Sequence, residues 1–459
     1  MSLFDPSDSR PVHLVGAAGA GMSALADLLV RRGVVVTGCD AGGGAAPDLD
    51  RLGIAISRGH DPAHVEGARL VIVTSAVPTH HAELEHARAL GIPVMRRAEA
   101  LSEAVAAGDV VAIAGTHGKT TTTVMTTDAL ATAGFEPTGV AGGRVAAWHG
   151  NVRHGSSQLF VVEADEYDRS FLALAPTVAV VTNIEADHLD IYADLDDIRV
   201  AFAQFVQGAR AIVLCADDAG ASTLVTPPTA EVIRYGIQSP DARLVARDVR
   251  VANGGSSFTV AYDNEILGHA TLRVPGEHNV RNALAALAAG LALGGTVAAM
   301  APGLAAFAGV ERRFQRVGDA RGVTIIDDYA HHPTEIAATL AAARGAFPGR
   351  RIVAAFQPHL YSRTRDFAVE FGQALARSDA IFLTEIYPAR EQPIAGVTSS
   401  LIERAARDGG GTLAWRGNRM QLAAALARFV RSGDVVLTLG AGDITRTGSE
   451  LLTCLTAAG

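Results

Sequence analysis

The chain has 459 residues, of which 49% are hydrophobic and 5% aromatic, with 48 glycines and a net charge of −9. This length exceeds what one hydrophobic core supports, and the glycine content fits an α/β protein with many tight turns, so we expect about three domains. The acidic balance argues against a basic surface that binds nucleic acid or anionic lipid. The start of the chain is polar and no apolar run reaches the ~20 residues of a membrane-spanning helix, which predicts a cytoplasmic protein.

The cysteines and the single lysine are informative by their rarity. Cys39, Cys215 and Cys454 lie far apart, in none of the paired spacings of zinc sites or disulfide frameworks, so we interpret them as buried or incidental thiols.

Lys119 is the only lysine, and every other basic side chain is an arginine or a histidine. An ammonium is a compact point charge whereas a guanidinium is a wide planar fork, so Lys119 is predicted to occupy a site that the fork would not fit.

The first predicted domain, residues 1–107, begins with a nucleotide-binding pattern. From Val12 a strand (VHLVG), a glycine turn, a helix (MSALADLLVRRG) and a strand (VVVTGCD) follow one another, and LVIVTSA predicts a further strand. This is a Rossmann-like βαβ unit, whose first turn binds nucleotide phosphates. The glycine spacing is G-x-x-G-x-G and not G-x-G-x-x-G, so the diphosphate of a dinucleotide and that of a UDP-sugar both stay open. The predicted substrate-binding residues here are Gly16, Gly19, Gly21, Met22, Ser23, Asp40 and Ser75.

The second predicted domain, residues 108–317, has the pattern of a P-loop-type ATPase domain with a mostly parallel sheet. VVAIAG, LFVVEAD, TVAVVTN and ARAIVLC are uniformly apolar, as strands covered on both faces of a parallel sheet are. Between residues 243 and 275 short alternating segments with Asn-Gly-Gly and Asp-Asn turns predict an antiparallel meander at the edge of this domain. The helix VRNALAALAAGLAL follows.

A glycine-rich loop opens the first helix of this domain. The segment from Ala114 to Thr121 (AGTHGKTT) follows a strand, the context in which backbone N–H groups and a helix N-terminus bind phosphate. Lys119 is predicted to reach the terminal phosphates and Thr120 to ligate Mg²⁺, although Ile113 stands where the full eight-residue motif has glycine. The predicted nucleotide-binding residues of the loop are Gly115, Thr116, His117, Gly118, Lys119, Thr120 and Thr121.

Acidic and histidine side chains follow two later strands of the same domain. Glu163 begins an EADE segment, and His188 ends the segment NIEADH. The carboxyl ends of parallel strands are where open α/β sheets bind ligands, and carboxylates converging there suit a Mg²⁺ that bridges phosphate and acyl oxygens. For a single acid, a helix cap or a solvated loop charge is the competing interpretation.

The third predicted domain, residues 318–459, is again Rossmann-like, with strands at VTIIDDYA, RIVAAFQ, AIFLTEIY and DVVLTLGAG. Asp328 and His331 follow the first of these strands, and His359 and Arg363 follow the second. The pair His331-His332 lacks a third ligand at a suitable spacing, so hydrogen bonding to a substrate is the favoured interpretation over a metal site.

Taken together, these segments resemble the Mur ligases. The similar blocks span residues 16–393: GAAGAGMS, AGTHGKTTTT, EADEYDRSF, TNIEADHLD, GEHNVRNALAA, GVERRFQ, DDYAHHPTE, FQPHLYSRT and EIYPAREQP. The resemblance implies that the first domain binds a UDP-sugar, the central domain ATP and Mg²⁺, and the third an amino acid. It further implies these contacts: Mg²⁺ with Glu163 and His188, adenine with Asn282, ribose with Asp328, phosphates with Arg313, and the amino acid and reacting carboxyl with His331, His359 and Arg363.

The implied reaction is the ATP-dependent ligation of L-alanine to the carboxylate of UDP-N-acetylmuramate through an acyl phosphate, a step of peptidoglycan precursor synthesis. Its predicted catalytic residues are Lys119, His188, Arg313, His331 and Arg363, with His188 and His331 as candidate bases for the alanine ammonium. The resemblance implies small-molecule partners, and a homodimer stays open.

The chain departs from the family pattern at three points. Ala18 stands where a third glycine is usual, and Leu360 replaces a frequent arginine. The carbamylated lysine of many relatives is excluded, because Lys119 is already assigned to phosphate.

Three alternative functions remain. A murein-recycling ligase would add a tripeptide to the same sugar acid, although the HLYSRT and YPAREQP blocks favour alanine. A nicotinamide oxidoreductase would use GAAGAGMS but leave AGTHGKTTTT unexplained. A non-catalytic nucleotide sensor would bind without turnover.

Overall fold

The structure is a computed structural model and describes residues 3–5, 7–42, 47–252, 254–389 and 391–457. Arg390 of the EIYPAREQP block lies outside the described residues. The chain forms two compact units, one of Met1–Arg247, Thr259–Ala270 and Arg281–Phe307, the other of Asp248–Phe258, Thr271–Val280 and Ala308–Gly459. Three mostly parallel sheets confirm the predicted α/β class, whereas the domain boundaries at 107/108 and 317/318 stay a prediction.

The first sheet has five parallel strands in the order β3-β2-β1-β4-β5. Its apolar strand residues point to both faces: Leu14 and Ile72 pack against α1 and α4, while Val15 and Val71 pack towards α3. Helices on both faces of a parallel sheet make this the predicted Rossmann-like layer. Its elements are β1 Val12–Val15, α1 Ala20–Arg31, β2 Val36–Asp40, α2 Pro47–Arg51, β3 Ala55–Arg58, a 3₁₀ helix Pro62–Val65, β4 Leu70–Val73, α3 Ala82–Ala89, β5 Val94–Arg96 and α4 Arg97–Val105.

The second sheet has ten strands in the order β15-β14-β13-β12-β11-β10-β6-β9-β7-β8. Pairings from β13 across to β7 are parallel, and β8 is antiparallel to β7. The predicted meander is confirmed as β13 to β15, whose β14–β15 turn has both Asp263 and Asn264 at positive φ, as a tight hairpin turn requires. The strands are β6 Asp109–Ala114, β7 Thr138–Val145, β8 Gly150–Arg153, β9 Leu159–Glu163, β10 Val178–Val181, β11 Ala211–Cys215, β12 Glu231–Gly236, β13 Leu244–Ala252, β14 Gly255–Tyr262 and β15 Glu265–Leu272.

The helix that follows β6 is rich in threonine and nevertheless buried. β-Branched threonine is a weak helix former, but Thr126 and Thr127 donate their hydroxyls to the carbonyls of Thr122 and Thr123, which satisfies them inside the protein. The helices here are α5 Lys119–Thr132, α6 Leu195–Phe205, α7 Ala219–Ser222, α8 Glu277–Ala292 and α9 Val297–Ala306, with 3₁₀ helices Ala146–Trp148 and Tyr167–Ala173.

The third sheet has the order β16-β17-β21-β18-β19-β20, with only β16 antiparallel. Separate apolar clusters cover its two faces, one around Phe356 and Phe371 and the other around Phe382 and Leu422, as expected of a Rossmann-like layer. The elements are β16 Gln315–Ala320, β17 Val323–Asp328, α10 Pro333–Ala346, β18 Ile352–Phe356, α11 Tyr361–Asp366, α12 Ala368–Leu375, β19 Ala380–Thr384, α13 Ser400–Asp408, β20 Leu413–Gly417, α14 Arg419–Phe429, β21 Val435–Leu439 and α15 Thr445–Ala457. Within the described ranges, no helix combines the length and the apolar character that crossing a membrane would need.

Candidate active site

Strand order brings three polar loops of the second sheet together. β6 lies between β10 and β9, and all three run parallel, so the loops that follow them leave the same edge of the sheet. These loops carry the glycine-rich segment, the EADE segment and the segment that ends at His188. The sequence prediction that they converge is therefore supported by the topology.

The glycine-rich loop needs its glycines. Gly115 and Gly118 have φ of +137° and +82°, and a Cβ would lie 2.0 Å from Thr182 Oγ1 at the first and 2.7 Å from Asn282 Oδ1 at the second. The backbone N–H of His117 donates to the Asn183 side chain over 2.7 Å. The strand-end residues Thr182 and Asn183, which sequence reasoning did not select, therefore shape the loop, although Asn183 stood in the quoted NIEADH segment.

Lys119 sits at the start of α5 with its ammonium directed back into the loop. Its Nζ donates to the carbonyls of Gly115 (2.8 Å) and Thr116 (3.3 Å) and lies 2.8 Å from Glu166 Oε2. Burial by itself would lower the pKa of Lys119, but Glu166 and the neighbouring acids raise it above its usual value. The side chain is therefore a charged, compact donor at the glycine-rich loop, and its role towards phosphates stays a prediction.

Glu163, at the end of β9, meets the first turn of α5. Its Oε1 accepts from the Thr120 hydroxyl over 3.1 Å and its Oε2 from the Gly142 N–H over 2.6 Å. Burial raises the pKa of Glu163 above its usual value, against the lowering effect of Lys119. Two carboxylates, Glu163 and Glu166, thus face one ammonium, and the excess negative charge and the oxygen donors fit a divalent ion such as Mg²⁺.

His188 lies in the same cluster of side chains, where it contacts Glu166. Its Nε2 is 3.4 Å from Glu166 Oε1, and its ring packs edge-on against Tyr167 at 5.1 Å. Burial pushes the pKa of Glu166 up, but Lys119 and His188 together bring it below the usual value. Glu166 therefore links the lysine to the histidine, a role that sequence reasoning missed although the EADE segment contained it. Direct contact between His188 and Mg²⁺ stays a prediction, since imidazole is a less favoured ligand for this ion than oxygen.

The adenine prediction concerns Asn282 on α8. This side chain is 8% exposed and lies against Gly118, as the 2.7 Å distance from that glycine's would-be Cβ shows. The geometry places it against the glycine-rich loop; contact with adenine stays a prediction.

The first glycine turn is built as expected at its backbone. Gly16 has φ +82°, Gly19 precedes the first residue of α1, and Asp40 accepts from the Ala18 N–H over 3.0 Å. Met22 is 2% exposed, its side chain packs in the core, and its N–H donates to the Gly19 carbonyl, so a contact with a substrate stays a prediction. Ser75 follows β4 and is exposed. The Ser23 hydroxyl donates to the Ala20 carbonyl. A Cβ on Gly21 would lie 3.0 Å from the Arg97 side chain.

Just before the third sheet begins, the guanidinium groups of two adjacent arginines lie over the Tyr329 ring but have different hydrogen-bond and ion-pair partners. Arg312 and Arg313 lie 4.8 and 4.9 Å from the centre of Tyr329. Arg312 also donates to the carbonyl oxygens of Gly440 and Gly442, whereas Arg313 is 31% exposed and 3.6 Å from Glu335. Arg312 is therefore tied to the scaffold, which leaves Arg313 as the arginine suited to contact a ligand.

Asp328, at the end of β17, is buried and accepts from the backbone N–H groups of Phe314 and Ala330, each over 2.8 Å. Burial raises its pKa to about 6, against the lowering effect of Arg313. In this structure its carboxylate shapes the strand end, and a contact with ribose stays a prediction.

The structure brings His331 and His359 together. Their ring centres are 6.1 Å apart, and His331 Nδ1 lies 3.1 Å from both the Tyr329 carbonyl and Glu335 Oε2. His359 stacks on Tyr387, whose backbone forms a bridge with it. Next to it Leu360 has φ +69°, a backbone conformation that costs free energy for a residue with a Cβ, and strained residues of this kind cluster at functional sites.

Arg363 follows on α11 and is 6% exposed, so its guanidinium is largely buried. The predicted catalytic and binding roles of His331, His359 and Arg363 stay predictions. His331 and His359, which follow β17 and β18, lie near each other.

The chain is similar to known proteins along nearly its whole length. Three family models match: the Mur ligase family, catalytic domain, over residues 11–108; the Mur ligase middle domain over 113–290; and the Mur ligase, glutamate ligase domain, over 312–442. A UDP-N-acetylmuramate–L-alanine ligase of Laribacter hongkongensis is 46% identical over 97% of both chains.

Two solved structures are similar over nearly the whole chain. A UDP-N-acetylmuramate-alanine ligase of Thermotoga maritima has a TM-score of 0.84 at 28% identity, covering 98% of this chain and 100% of the other. A murein peptide ligase of Psychrobacter arcticus has a TM-score of 0.73 at 26% identity, covering 97% and 98%. The chain belongs to the Mur ligase family.

Proposed function

We propose that this chain is an ATP-dependent ligase that joins L-alanine to the carboxylate of UDP-N-acetylmuramate, releasing ADP and phosphate, in peptidoglycan precursor synthesis. The observation that carries the proposal is the 46% identity over 97% of the chain to a relative named for this reaction. The glycine loop with the chain's only lysine supports it, because the loop has the geometry of a phosphate-binding turn.

The chemistry requires activation, because an amine does not displace the oxygen of a free carboxylate. In the proposed reaction the sugar carboxylate attacks the terminal phosphorus of ATP to give an acyl phosphate, the alanine amine attacks the acyl carbon, and phosphate leaves. Lys119 and the first N–H groups of α5 bind and orient the phosphates, and Lys119 offsets the charge on the transferred group. Mg²⁺, proposed to be held by Thr120, Glu163 and His188, would supply further charge compensation when bound.

A base must take a proton from the alanine ammonium before its nitrogen can attack. His188 and His331 are the candidates, each with its ring oriented by a carboxylate, Glu166 for the first and Glu335 for the second. A His331→Ala enzyme with an unchanged rate at saturating alanine would remove His331 from this role.

The test is release of phosphate from ATP in the presence of UDP-N-acetylmuramate, with either L-alanine or a murein tripeptide as the acceptor. We expect release that depends on both UDP-N-acetylmuramate and L-alanine. Release only with the tripeptide would transfer the assignment to murein recycling, and release with neither would overturn the proposed activity. A cytoplasmic location belongs to the same proposal, because ATP and UDP-sugars are cytoplasmic metabolites. Dimer formation stays a prediction.

A further inference from the structure

Sulfur, nitrogen and oxygen donors converge on the face of the first sheet that α3 and the 3₁₀ helix Pro62–Val65 cover. Cys39 lies near the end of β2, His60 lies just before the 3₁₀ helix, and Glu83 lies in the first turn of α3. The Glu83 and Cys39 side chains are 0% exposed. None of these three side chains has a part in the ligase chemistry proposed above.

Three of these donor atoms form a nearly equilateral triangle. Cys39 Sγ lies 3.3 Å from His60 Nδ1 and 3.3 Å from Glu83 Oε2, and His60 Nδ1 lies 3.0 Å from the same Oε2. Ligands around a tetrahedral zinc ion with ordinary bond lengths are about 3.3–3.7 Å apart. The donors therefore already have nearly the spacing of one face of such a site.

His81 supplies a fourth donor. Its Nδ1 lies 3.6 Å from Glu83 Oε2, and the atom is buried with no hydrogen-bond partner in the part of the chain described. His60, His81 and Glu83 each offer a ligand atom within 4.8 Å of the others. A buried nitrogen without a hydrogen-bond partner costs free energy when the cluster holds no ion. A metal ion bound beside the Glu83 carboxylate would give this nitrogen a partner.

The other oxygen of Glu83 has two further partners of its own. Its Oε1 lies 2.9 Å from His64 Nδ1 and accepts from the Asp61 N–H over 3.1 Å, and Cys39 Sγ lies between the two oxygens, 3.2 Å from Oε1 and 3.3 Å from Oε2. The bonds from His64 and Asp61 hold the carboxylate with Oε2 towards His60 and His81. Outer hydrogen bonds of this kind orient the ligands of metal sites.

His13 lies beside the cluster and offers a further buried nitrogen. Its Nδ1 bonds the Thr37 hydroxyl, whereas its Nε2 is buried without a hydrogen-bond partner among the described residues. One His13 nitrogen, Cys39 Sγ and one Glu83 oxygen also lie within 4.8 Å of one another.

We propose that Cys39, His60, His81 and Glu83 form a structural site for a zinc-class divalent transition-metal ion, which ties β2 to the start of α3. Thiolate, imidazole and carboxylate are the donors that such an ion takes in a closed four-ligand site. Binding breaks the S–H bond of Cys39 and forms a sulfur–metal bond, and the proton leaves to solvent. The thiolate and the carboxylate then neutralise the ion, whereas in its absence only histidines form ion pairs with Glu83 among the described residues.

The test uses the full chain after treatment with a chelator. We expect one equivalent of Zn²⁺ to bind in competition with a chromophoric chelator, and Co²⁺ to give tetrahedral d–d bands with a thiolate charge-transfer band. Cys39→Ala should abolish the charge-transfer band and weaken Zn²⁺ binding on the order of 100-fold or more, because a direct ligand is lost. Cys215→Ala is the matched control, since Cys215 is also buried but lies outside the cluster, and it should change neither result.

A second variant separates loss of the site from loss of the fold. His81 retains 19% of its side-chain exposure, so His81→Asn should leave the circular dichroism spectrum unchanged while weakening Zn²⁺ binding at least tenfold. Wild-type protein that binds Zn²⁺ no more tightly than Cys39→Ala, or a cobalt spectrum without the thiolate band, would overturn the proposal and leave a hydrogen-bonded polar cluster. These readouts do not depend on ligase activity, so they stand apart from the test of the proposed function.

Discussion

Replacing Lys119 by arginine keeps the positive charge and changes only its shape. Lys119 Nζ fits among two loop carbonyls and the Glu166 carboxylate, at 2.8–3.3 Å from each, with 14% of the side chain exposed. The wider guanidinium cannot occupy the same point and also face the phosphates, so one donor to the transferred group is lost. Loss of one such donor costs about 2.7–4 kcal/mol of transition-state stabilisation, so we expect kcat to fall by on the order of 100- to 1,000-fold.

The assay for this prediction is ATP-dependent phosphate release at saturating substrates, with the thermal midpoint measured in parallel. Arg199→Lys is the matched control, because it makes the reverse exchange at a side chain that is 40% exposed and forms an ion pair with Asp196. We expect this control to keep full activity. A Lys119→Arg enzyme within about threefold of the wild type would refute the reasoning that the site requires an ammonium.

Three further substitutions probe the charges described above. Glu163→Gln should raise the Mg²⁺ concentration for half-maximal rate by on the order of 10- to 100-fold, measured by magnesium titration, whereas neighbouring Asp165→Asn should not. Arg312→Ala should lower the free energy of unfolding by about 1–3 kcal/mol in urea titrations, because two carbonyl oxygens lose their donor. Arg313, whose side chain is 31% exposed, is the control, and Arg313→Ala should change the free energy of unfolding by less than about 1 kcal/mol. Burial raises the pKa of Asp328 to about 6, so the native state keeps a proton that the unfolded chain loses above about pH 4. The free energy of unfolding of the wild type should therefore fall by up to roughly 3 kcal/mol between about pH 4 and pH 6, relative to that of Asp328→Asn. The measurement is urea unfolding at a series of pH values, and the same pH dependence for both proteins would contradict the prediction.

Much of the fold follows from local patterns in the sequence. The strands β6, β9, β10, β17 and β21 are apolar runs, and each forms where the pattern predicts it. Strands such as β3 (AISR) and β16 (QRVGDA) were not predicted, because they lie at sheet edges, where exposed positions carry polar residues and the apolar period is lost.

The candidate site was predictable in its location but not in its pairings. Motifs at the ends of parallel strands indicated that Lys119, Glu163 and His188 converge, since one sheet edge collects them. That Lys119 and His188 both contact Glu166, and that Asn183 shapes the loop, depends on side-chain directions that no spacing encodes. The motif that selected Met22 likewise does not encode the direction of its side chain, which the helical period buries in the core, so its contact with a substrate stays a prediction.

The donors around Glu83 were beyond the reach of sequence reasoning. The spacing from Cys39 to His60, His81 and Glu83 matches no short metal-binding motif, so the sequence alone favours buried or incidental thiols. The prediction that Cys39 is buried is confirmed, but only the packing of α3 against β2 brings the other donors to it. Sites assembled from separate elements of a sheet in this way become visible only once the tertiary structure is known.

The proposed activation of the sugar carboxylate is the central claim, and an isotope experiment tests it directly. UDP-N-acetylmuramate labelled with ¹⁸O in its carboxylate is incubated with the enzyme, ATP and L-alanine, and the products are analysed by mass spectrometry. We expect a product heavier by one alanine residue, with one ¹⁸O of the carboxylate transferred to the inorganic phosphate. Phosphate without ¹⁸O beside an alanine adduct would contradict the acyl phosphate, and absence of the adduct would contradict the proposed ligation itself.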